Sequence, residues 1–352
     1  MRELRTDPNL QVRVCVTGQH REMLDQVLAA FAVQPDYDLD LMLPGQTLFQ
    51  STSRILAGLE PVFVAENPAL AIVQGDTTTT LCGALASFYR NVPLAHVEAG
   101  LRTGDLRQPF PEELNRVLTS RLAALHFAPT EESAANLLRE GVAPQTVHVT
   151  GNTGIDAVLY VRDALEQGRL HAPAGAFQNE ANRKLIAVTA HRRESFGDGF
   201  ASICSALAEL AERPDVEIVY PVHPNPNVQG PVNRFLRDKP NVHLVAPLEY
   251  VSFVDLMRRA YILITDSGGI QEEGPSLGKP ILVLREKTER PEAVTAGTVK
   301  LVGTDRARIV AEAVRLLEDS REYDRMARVH NPYGDGRSCV RIAGLIRSFL
   351  SR

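Results

Sequence analysis

Short apolar runs alternate along this chain with longer segments whose apolar residues recur every three or four positions, and most runs end in a glycine, a proline or a charged residue. Such runs are buried parallel strands in the making, and the longer segments are the helices that cover them. In the first half, strands are expected at Gln11–Val16, Tyr37–Leu41, Leu70–Val73, Val92–Val97, Leu125–Ala128 and Val147–Val149. Helices are expected from about His20 to Phe31, over Leu48–Leu59, after Asp76, from Glu112, over Glu131–Glu140, and from the G-N-T-G turn into Arg169. The periodicity fails between Leu170 and Arg183, which predicts a linker. A second series begins at Leu185 with L-I-A-V-T-A and continues through V-E-I-V-Y-P-V, V-H-L-V, I-L-I-T-D and I-L-V-L. Val251–Arg259 is amphipathic, and about Asp305 to Ser351 is expected to be helical.

Repeated strand–helix units make parallel sheets with helices on both faces. The expected architecture is α/β, two Rossmann-like domains facing a cleft. Residues 1–169 form the first, 170–336 the second, and 337–352 a terminal helix packing back on the first. The start is unusual. Arg2–Arg5 has the pattern of a helix tail ended by Asp7-Pro8, whereas a doubly wound domain opens with a strand and then a helix.

A chain of 352 residues, 44% hydrophobic and 23% charged, can bury two cores. With 38 basic against 43 acidic residues and a net charge of −5, nothing favours nucleic acid or an anionic membrane. An anionic small substrate therefore requires a locally positive pocket. Cys15, Cys82, Cys204 and Cys339 lie within apolar patterns and form no C-x-x-C pair, as buried thiols of a reducing compartment do. The N-terminus has no apolar core and no run approaches the roughly eighteen residues of a membrane span, so a cytoplasmic protein is expected.

Chemistry concentrates between Ile72 and Arg116. Asp76, Glu98 and Glu112 each stand where a strand has ended or a helix begins, the edge at which open α/β sheets bind ligands. Local roles compete. Asp76 before four threonines has the pattern of a helix cap, and Glu112 that of a first-turn acid. Glu98 resists such a reading, because it closes an apolar strand and a partly buried carboxylate needs a partner or a shifted pKa.

In the second half, Ser267-Gly268-Gly269 opens a helix after an apolar run. Such a start brings backbone N–H groups to an anion, and Glu273 one turn on can accept from a diol. A glycine turn with acidic capping residues is an equal reading. His223, framed by prolines at a strand end, is a candidate acid/base. The His191-Arg192-Arg193-Glu194 cluster offers positive charge for a diphosphate, with a solvated salt-bridge cluster as the alternative. Arg290 after a strand end fits an unpaired phosphate-binding guanidinium, with a surface-loop arginine as the alternative. Dinucleotide, P-loop, H-E-x-x-H and G-x-S-x-G motifs are absent.

G-D-T-T-T-T, H-V-E-A-G-L-R-T, P-E-E-L-N-R, H-R-R-E-S, H-P-N-P-N, D-S-G-G-I-Q-E-E, T-E-R-P-E and N-P-Y-G-D-G occur in one order. In these motifs, and over nearly its whole length, the chain resembles the non-hydrolysing UDP-N-acetylglucosamine 2-epimerases. The resemblance implies a glycosyltransferase-B-type fold, a homodimer, and interconversion of UDP-GlcNAc and UDP-ManNAc by elimination and re-addition of UDP through a glycal, in service of bacterial surface polysaccharides. No metal or redox cofactor is implied. Acid/base roles fall on Asp76, Glu98, Glu112 and His223. UDP contacts fall on Arg192, Phe253, Ser267, Gly268, Gly269, Glu273 and Arg290, and a second, activating UDP-GlcNAc site on Gln19 and Arg193. The family begins with a strand and a G-T-R-P-E-A-I-K turn that this chain starts beyond. The resemblance thus implies a missing central first strand and a true start upstream of Met1. Leu248 stands where relatives often carry a polar residue. Competing readings are a glycosyltransferase of the same fold, a hydrolysing epimerase, and an inactive, truncated UDP-sugar binder.

Overall fold

The computed structural model describes residues 1–19, 21–172 and 182–351, and of Met23 the backbone alone. His20, most of the expected linker and Arg352 lie outside the described residues. The chain divides into two compact units, Met1–Asp156 with Tyr333–Arg352, and Ala157–Pro332. The Thr153–Glu166 helix spans the first of these divisions.

In unit 1 the strands are β1 (Cys15–Val16), β2 (Tyr37–Asp38), β3 (Ala71–Gln74), β4 (Leu94–Val97), β5 (Leu125–Ala128) and β6 (Val147–Val149). All pairings are parallel, in two pieces: β1 with β2, and β3-β4-β5-β6. Between β1 and β3 no strand pairing exists among the described residues. A side-chain bridge from Thr17 Oγ1 to Thr79 Oγ1, 2.9 Å, joins the end of β1 to the helix after β3. The consequence shows in burial. Strands β4 and β5 are buried throughout, whereas Ile72 in β3 is 42% exposed. One face of β4 and β5 is covered by Leu4 from the N-terminus and Ile342, Ala343 and Ile346 from the last helix. A second apolar cluster joins Ile55, Leu59 and Phe63 to Cys82, Ala86 and Val92.

Unit 2 holds β7 (Lys184–Thr189), β8 (Val216–Pro221), β9 (Val242–Val245), β10 (Ile262–Thr265), β11 (Ile281–Val283) and β12 (Val299–Leu301). The parallel order is β12-β11-β10-β7-β8-β9. The direction of winding reverses between β7 and β10, and the crevice at such a reversal is where doubly wound sheets bind ligands. The α/β class and the two parallel-sheet domains are therefore as expected.

Several boundaries differ from the sequence pattern. The first strand shortens from Gln11–Val16 to Cys15–Val16, since only those residues find a partner in β2. The helix expected to stop at Leu59 runs to Glu66 through Pro61. Its start is fixed by a Thr47–Gln50 capping box, and Ile55, Leu59 and Phe63 are buried along it, so one lost backbone bond is outweighed by burial. The C-terminal helical region is three helices, Arg306–Glu318, Ser320–Ala327 and Ser338–Leu350. The break before the last is held to unit 1 by Asn152 N–H donating to Tyr333 O, 2.7 Å. The Asp156 carboxylate accepts from the N–H groups of Ser338 and Cys339 at 3.1 and 2.8 Å. No helix among the described residues is long and apolar enough to cross a membrane.

Candidate active site

In unit 1, Asp76 and Glu98 follow neighbouring strands, and Glu112 opens a helix close enough for its charge to act on Asp76. Gly75, with φ +74°, turns the chain out of β3 and presents Asp76. The cap of the following helix is not Asp76 but Thr77, whose side chain accepts from Thr80 N–H at 3.2 Å. This frees the Asp76 carboxylate, which instead meets Arg116 Nη2 at 2.8 Å. Burial raises the Asp76 pKa, Arg116 opposes that shift, and the charge of Glu112 adds to it.

Glu98 ends β4 in the left-handed region, φ +65°. A non-glycine residue there is strained, and such strain is found where a side chain must be aimed. Its Oε2 stands 3.6 Å from where a Cβ on Gly75 would be, so its carboxylate lies over the Gly75–Asp76 turn. Glu112 is half-buried at the start of the Glu112–Leu122 helix.

The side chains that hold the Gly75–Asp76 turn lie within the same motifs. Glu113 is 1% exposed, and its Oε1 accepts from the N–H groups of Thr103 and Gly104 at 3.0 and 3.1 Å. Arg116 is buried between Glu113 and Asp76. Asn115 Nδ2 donates to Asp76 O at 2.8 Å. His96, fully buried, bonds through Nε2 to Gly75 O at 2.8 Å. That carbonyl can only accept, so Nε2 carries the proton, and burial pushes the imidazole pKa down to about 4. The usable signal was the phase of P-E-E-L-N-R. Residues 113 and 116 are three apart, on one helical face. Gln19 lies by the same turn, its Oε1 accepting from Thr79 Oγ1 at 3.1 Å.

Unit 2 assembles a second set around its winding reversal. Asp266, after β10, is fully buried and accepts from the N–H groups of His191 and Arg192, after β7, at 2.6 and 2.7 Å. It does not cap the Gly268–Glu273 helix, so the acidic-cap reading of this turn is replaced by a loop anchor. Asp266 Oδ1 has no hydrogen-bond partner and lies 3.7 Å from His191 Nδ1. His191 stacks on His223, with ring centroids 5.3 Å apart and planes at 13°. Burial lowers the His191 pKa, against the pull of Asp266. His223 Nδ1 accepts from Asn225 N–H at 3.1 Å, so the proton of its neutral ring sits on Nε2. Along the sequence His191 stands only within a positive cluster. Its pairing with His223 and Asp266 joins three strand ends distant in sequence. Glu194 of that cluster pairs with Arg285 at 2.6 Å, and Arg193 is exposed on the same turn.

Ser267, Gly268 and Gly269 follow Asp266. A Cβ on Gly268 would lie 3.1 Å from Arg290 Cζ, so the glycine is what lets the guanidinium lie against the helix start. Arg290 is not unpaired, as its loop position suggested. Its Nε donates to Glu272 at 2.8 Å and its Nη1 to Glu289 at 3.0 Å, because a guanidinium this buried requires counter-charge. Glu273 is half-buried, and burial together with the Glu272 charge pushes its pKa up to about 7. The native state therefore holds that proton more tightly than the unfolded chain. Its contribution to stability is present below the ordinary carboxyl range and is lost as pH rises through about 7. Tyr250 lies close enough for the Glu273 charge to raise its pKa, after burial, and Phe253 is half-buried on the same Tyr250–Arg259 helix. No group of three or more metal-ligating side chains is found among the described residues.

A family model described as UDP-N-acetylglucosamine 2-epimerase matches residues 2–347. The UDP-N-acetylglucosamine 2-epimerase of Salmonella typhimurium is 58% identical, over 98% of this chain and 93% of the relative. That of Escherichia coli K12 is 57% identical over the same shares. Among solved structures, UDP-GlcNAc 2-epimerase from Neisseria meningitidis bound to UDP-GlcNAc superposes with a TM-score of 0.87 at 46% identity, over 98% of this chain and 94% of that one. The S. aureus MnaA–UDP structure gives 0.84 at 44%, over 99% and 92%.

Proposed function

The chain belongs to the UDP-N-acetylglucosamine 2-epimerase family, and on that premise we propose that it interconverts UDP-GlcNAc and UDP-ManNAc by elimination and re-addition of UDP. The observation that carries the reading is the grouping of three acids: Asp76 and Glu98 follow neighbouring strands, Glu112 is close enough for its charge to act on Asp76, and buried Arg116 meets the Asp76 carboxylate. Inverting a carbon that bears only one proton requires removing it from one face and returning one to the other, and so more than one acid/base group. One carboxylate takes the C2 proton. The C2–H electrons form the C1=C2 bond, and the C1–O pair leaves with UDP. A carboxylic acid then protonates C2 from the opposite face while a UDP oxygen re-forms the bond to C1.

Unit 2 supplies the nucleotide contacts. Ser267, Gly268 and Gly269 with Arg290 and Arg192 meet the diphosphate, Glu273 the ribose diol, and Phe253 the uracil. His223 adds an imidazole whose Nδ1 accepts from Asn225 N–H. Charge on the departing diphosphate is the main electrostatic demand of the reaction. A regulatory role for Gln19 and for Arg193 is supported by the family resemblance. The family resemblance supports a cytoplasmic homodimer serving surface polysaccharide synthesis.

The test is exchange of solvent deuterium into C2 of UDP-GlcNAc. Incorporation accompanied by UDP-ManNAc is expected. No incorporation would overturn the reading, free ManNAc would indicate the hydrolysing reaction, and UDP release only with an added acceptor would indicate a transferase.

A pH dependence follows from Glu273. A carboxylate accepting two ribose hydroxyls is favoured over a carboxylic acid, so binding releases the proton held at about 7. The affinity for UDP-GlcNAc is expected to rise about tenfold from pH 6 to pH 8 by calorimetry. In Glu273→Gln this dependence should flatten, and a variant that kept it would place the titrating group elsewhere.

A further inference from the structure

We propose that Arg116 is the positioning residue that sets the aim and the charge of Asp76, with buried Glu113 as its counter-ion. The proposal rests on the epimerase reading for what Asp76 does, and on geometry alone for the pairing.

Arg116 is 5% exposed, so its salt bridge to Asp76 is not a solvated surface pair. A guanidinium taken out of water must be compensated, and here it is compensated twice. Nη2 meets Asp76 Oδ2 at 2.8 Å, and Nη1 lies 3.4 Å from Glu113 Oε2. Arg116 Nε and Glu113 Oε2 have no hydrogen-bond partner, so the two ion pairs are what hold this guanidinium. Glu113 in turn is fixed by the Thr103 and Gly104 N–H groups.

Three side chains grip the Gly75–Asp76 turn. His96 takes the Gly75 carbonyl and Asn115 the Asp76 carbonyl, but of the three Arg116 alone acts on the carboxylate. Among the described residues, the charged and titratable groups about Asp76 are Arg116 and Glu112 from the helix, with Glu113 behind Arg116, Glu98 from the end of β4, and His96 behind the turn. Apart from Arg116, these are carboxyls or, for His96, a buried neutral ring. Without the guanidinium, burial and Glu112 act together to raise the Asp76 pKa further. An acid/base group that is already protonated cannot accept the C2 proton at neutral pH.

The experiment compares wild type, Arg116→Lys, Arg116→Met and the double variant R116M/E113Q. The last removes the buried carboxylate that R116M leaves uncompensated, so that a foldable protein lacking the guanidinium is available. The first readout is the pH profile of kcat for C2 exchange. R116M and the double variant are expected to move the acidic limb upward by about one to three pH units, with a fall in kcat and little change in KM. Arg116→Lys, which keeps the charge, should keep the limb close to wild type. The second readout needs no activity. It is the ¹³C carboxyl titration of Asp76 in aspartate-labelled protein, assigned by its loss in Asp76→Asn. Its midpoint should rise by a similar amount in the variants that lack the guanidinium. An unmoved midpoint in a variant that melts as wild type does would overturn the proposal. If wild type shows no exchange, the epimerase reading fails, and the carboxyl titration still decides the role of Arg116.

Discussion

Gly100→Ala is expected to destabilise unit 1 so far that the variant melts roughly 10 °C or more below wild type, or is recovered only as aggregate. Gly100 has φ +95°, where an alanine is already strained. A Cβ there would also overlap the Ser133 carbonyl oxygen and lie 2.8 Å from its carbon and 3.1 Å from Leu137 Cδ1. The obstacle is backbone, in the Glu131–Arg139 helix, and cannot rotate away. Nor can Gly100 retreat, since its own carbonyl accepts from Asn136 Nδ2 of that helix at 2.9 Å. Left-handed strain and overpacking together cost about 3–5 kcal/mol, a large share of a domain's 5–15 kcal/mol. Gly104→Ala is the control. Its φ of +81° carries the same backbone strain, but its Cβ would meet nothing within 4 Å. It should lose only about 1 kcal/mol. Thermal denaturation of the two variants side by side checks the argument, and equal melting temperatures would remove steric contact as the cause.

The second large effect is on chemistry. Glu98→Gln is expected to lower C2 exchange by about 10²–10⁴-fold, with UDP affinity and melting temperature close to wild type. Glutamine keeps the shape and the hydrogen-bonding reach but cannot take or give the proton. Glu98 is held at φ +65° at the end of a strand buried along its whole length, with Ala99 and Gly100 also buried after it. The strand and turn therefore aim the side chain, and the substitution should leave that aim intact. The nucleotide contacts proposed here lie in the other unit, so calorimetry with UDP separates a chemical loss from a folding one. A variant retaining more than about a tenth of wild-type exchange would remove Glu98 from the acid/base set. Combining it with Asp76→Asn should not multiply the two losses, because groups that act as a unit are not additive.

Much of this was legible in the residues themselves. Strands buried on both faces are continuous apolar runs, and a glycine or a charge marks where each leaves the sheet. β4, β5 and β10 therefore stood out. β3 is as apolar though the structure leaves it partly exposed, and Asp76 and Glu98 mark the ends of β3 and β4. Glu112 was visible as a first-turn acid, but Glu113 beside it was not, because which of two neighbouring acids faces inward depends on what the helix packs against. The apolar pattern predicts a helix ending at Leu59, and burial of Phe63 carries it through Pro61 to Glu66. Arg290 suggested a free cation, whereas its burial draws Glu272 and Glu289 onto it.

The sequence by itself determined the class of fold, the positions of the acids at strand ends and the glycine-led turn at Ser267. These are local properties, written in the period of the apolar residues and in the few residue types that allow a tight turn. Tertiary structure alone decided the partners. Asp76 meets an arginine forty positions away, and His191, His223 and Asp266 converge because strand order sets β7 beside both β8 and β10. Strand order and helix phase follow from burial summed over the whole domain, and that sum is not contained in any local stretch of the chain.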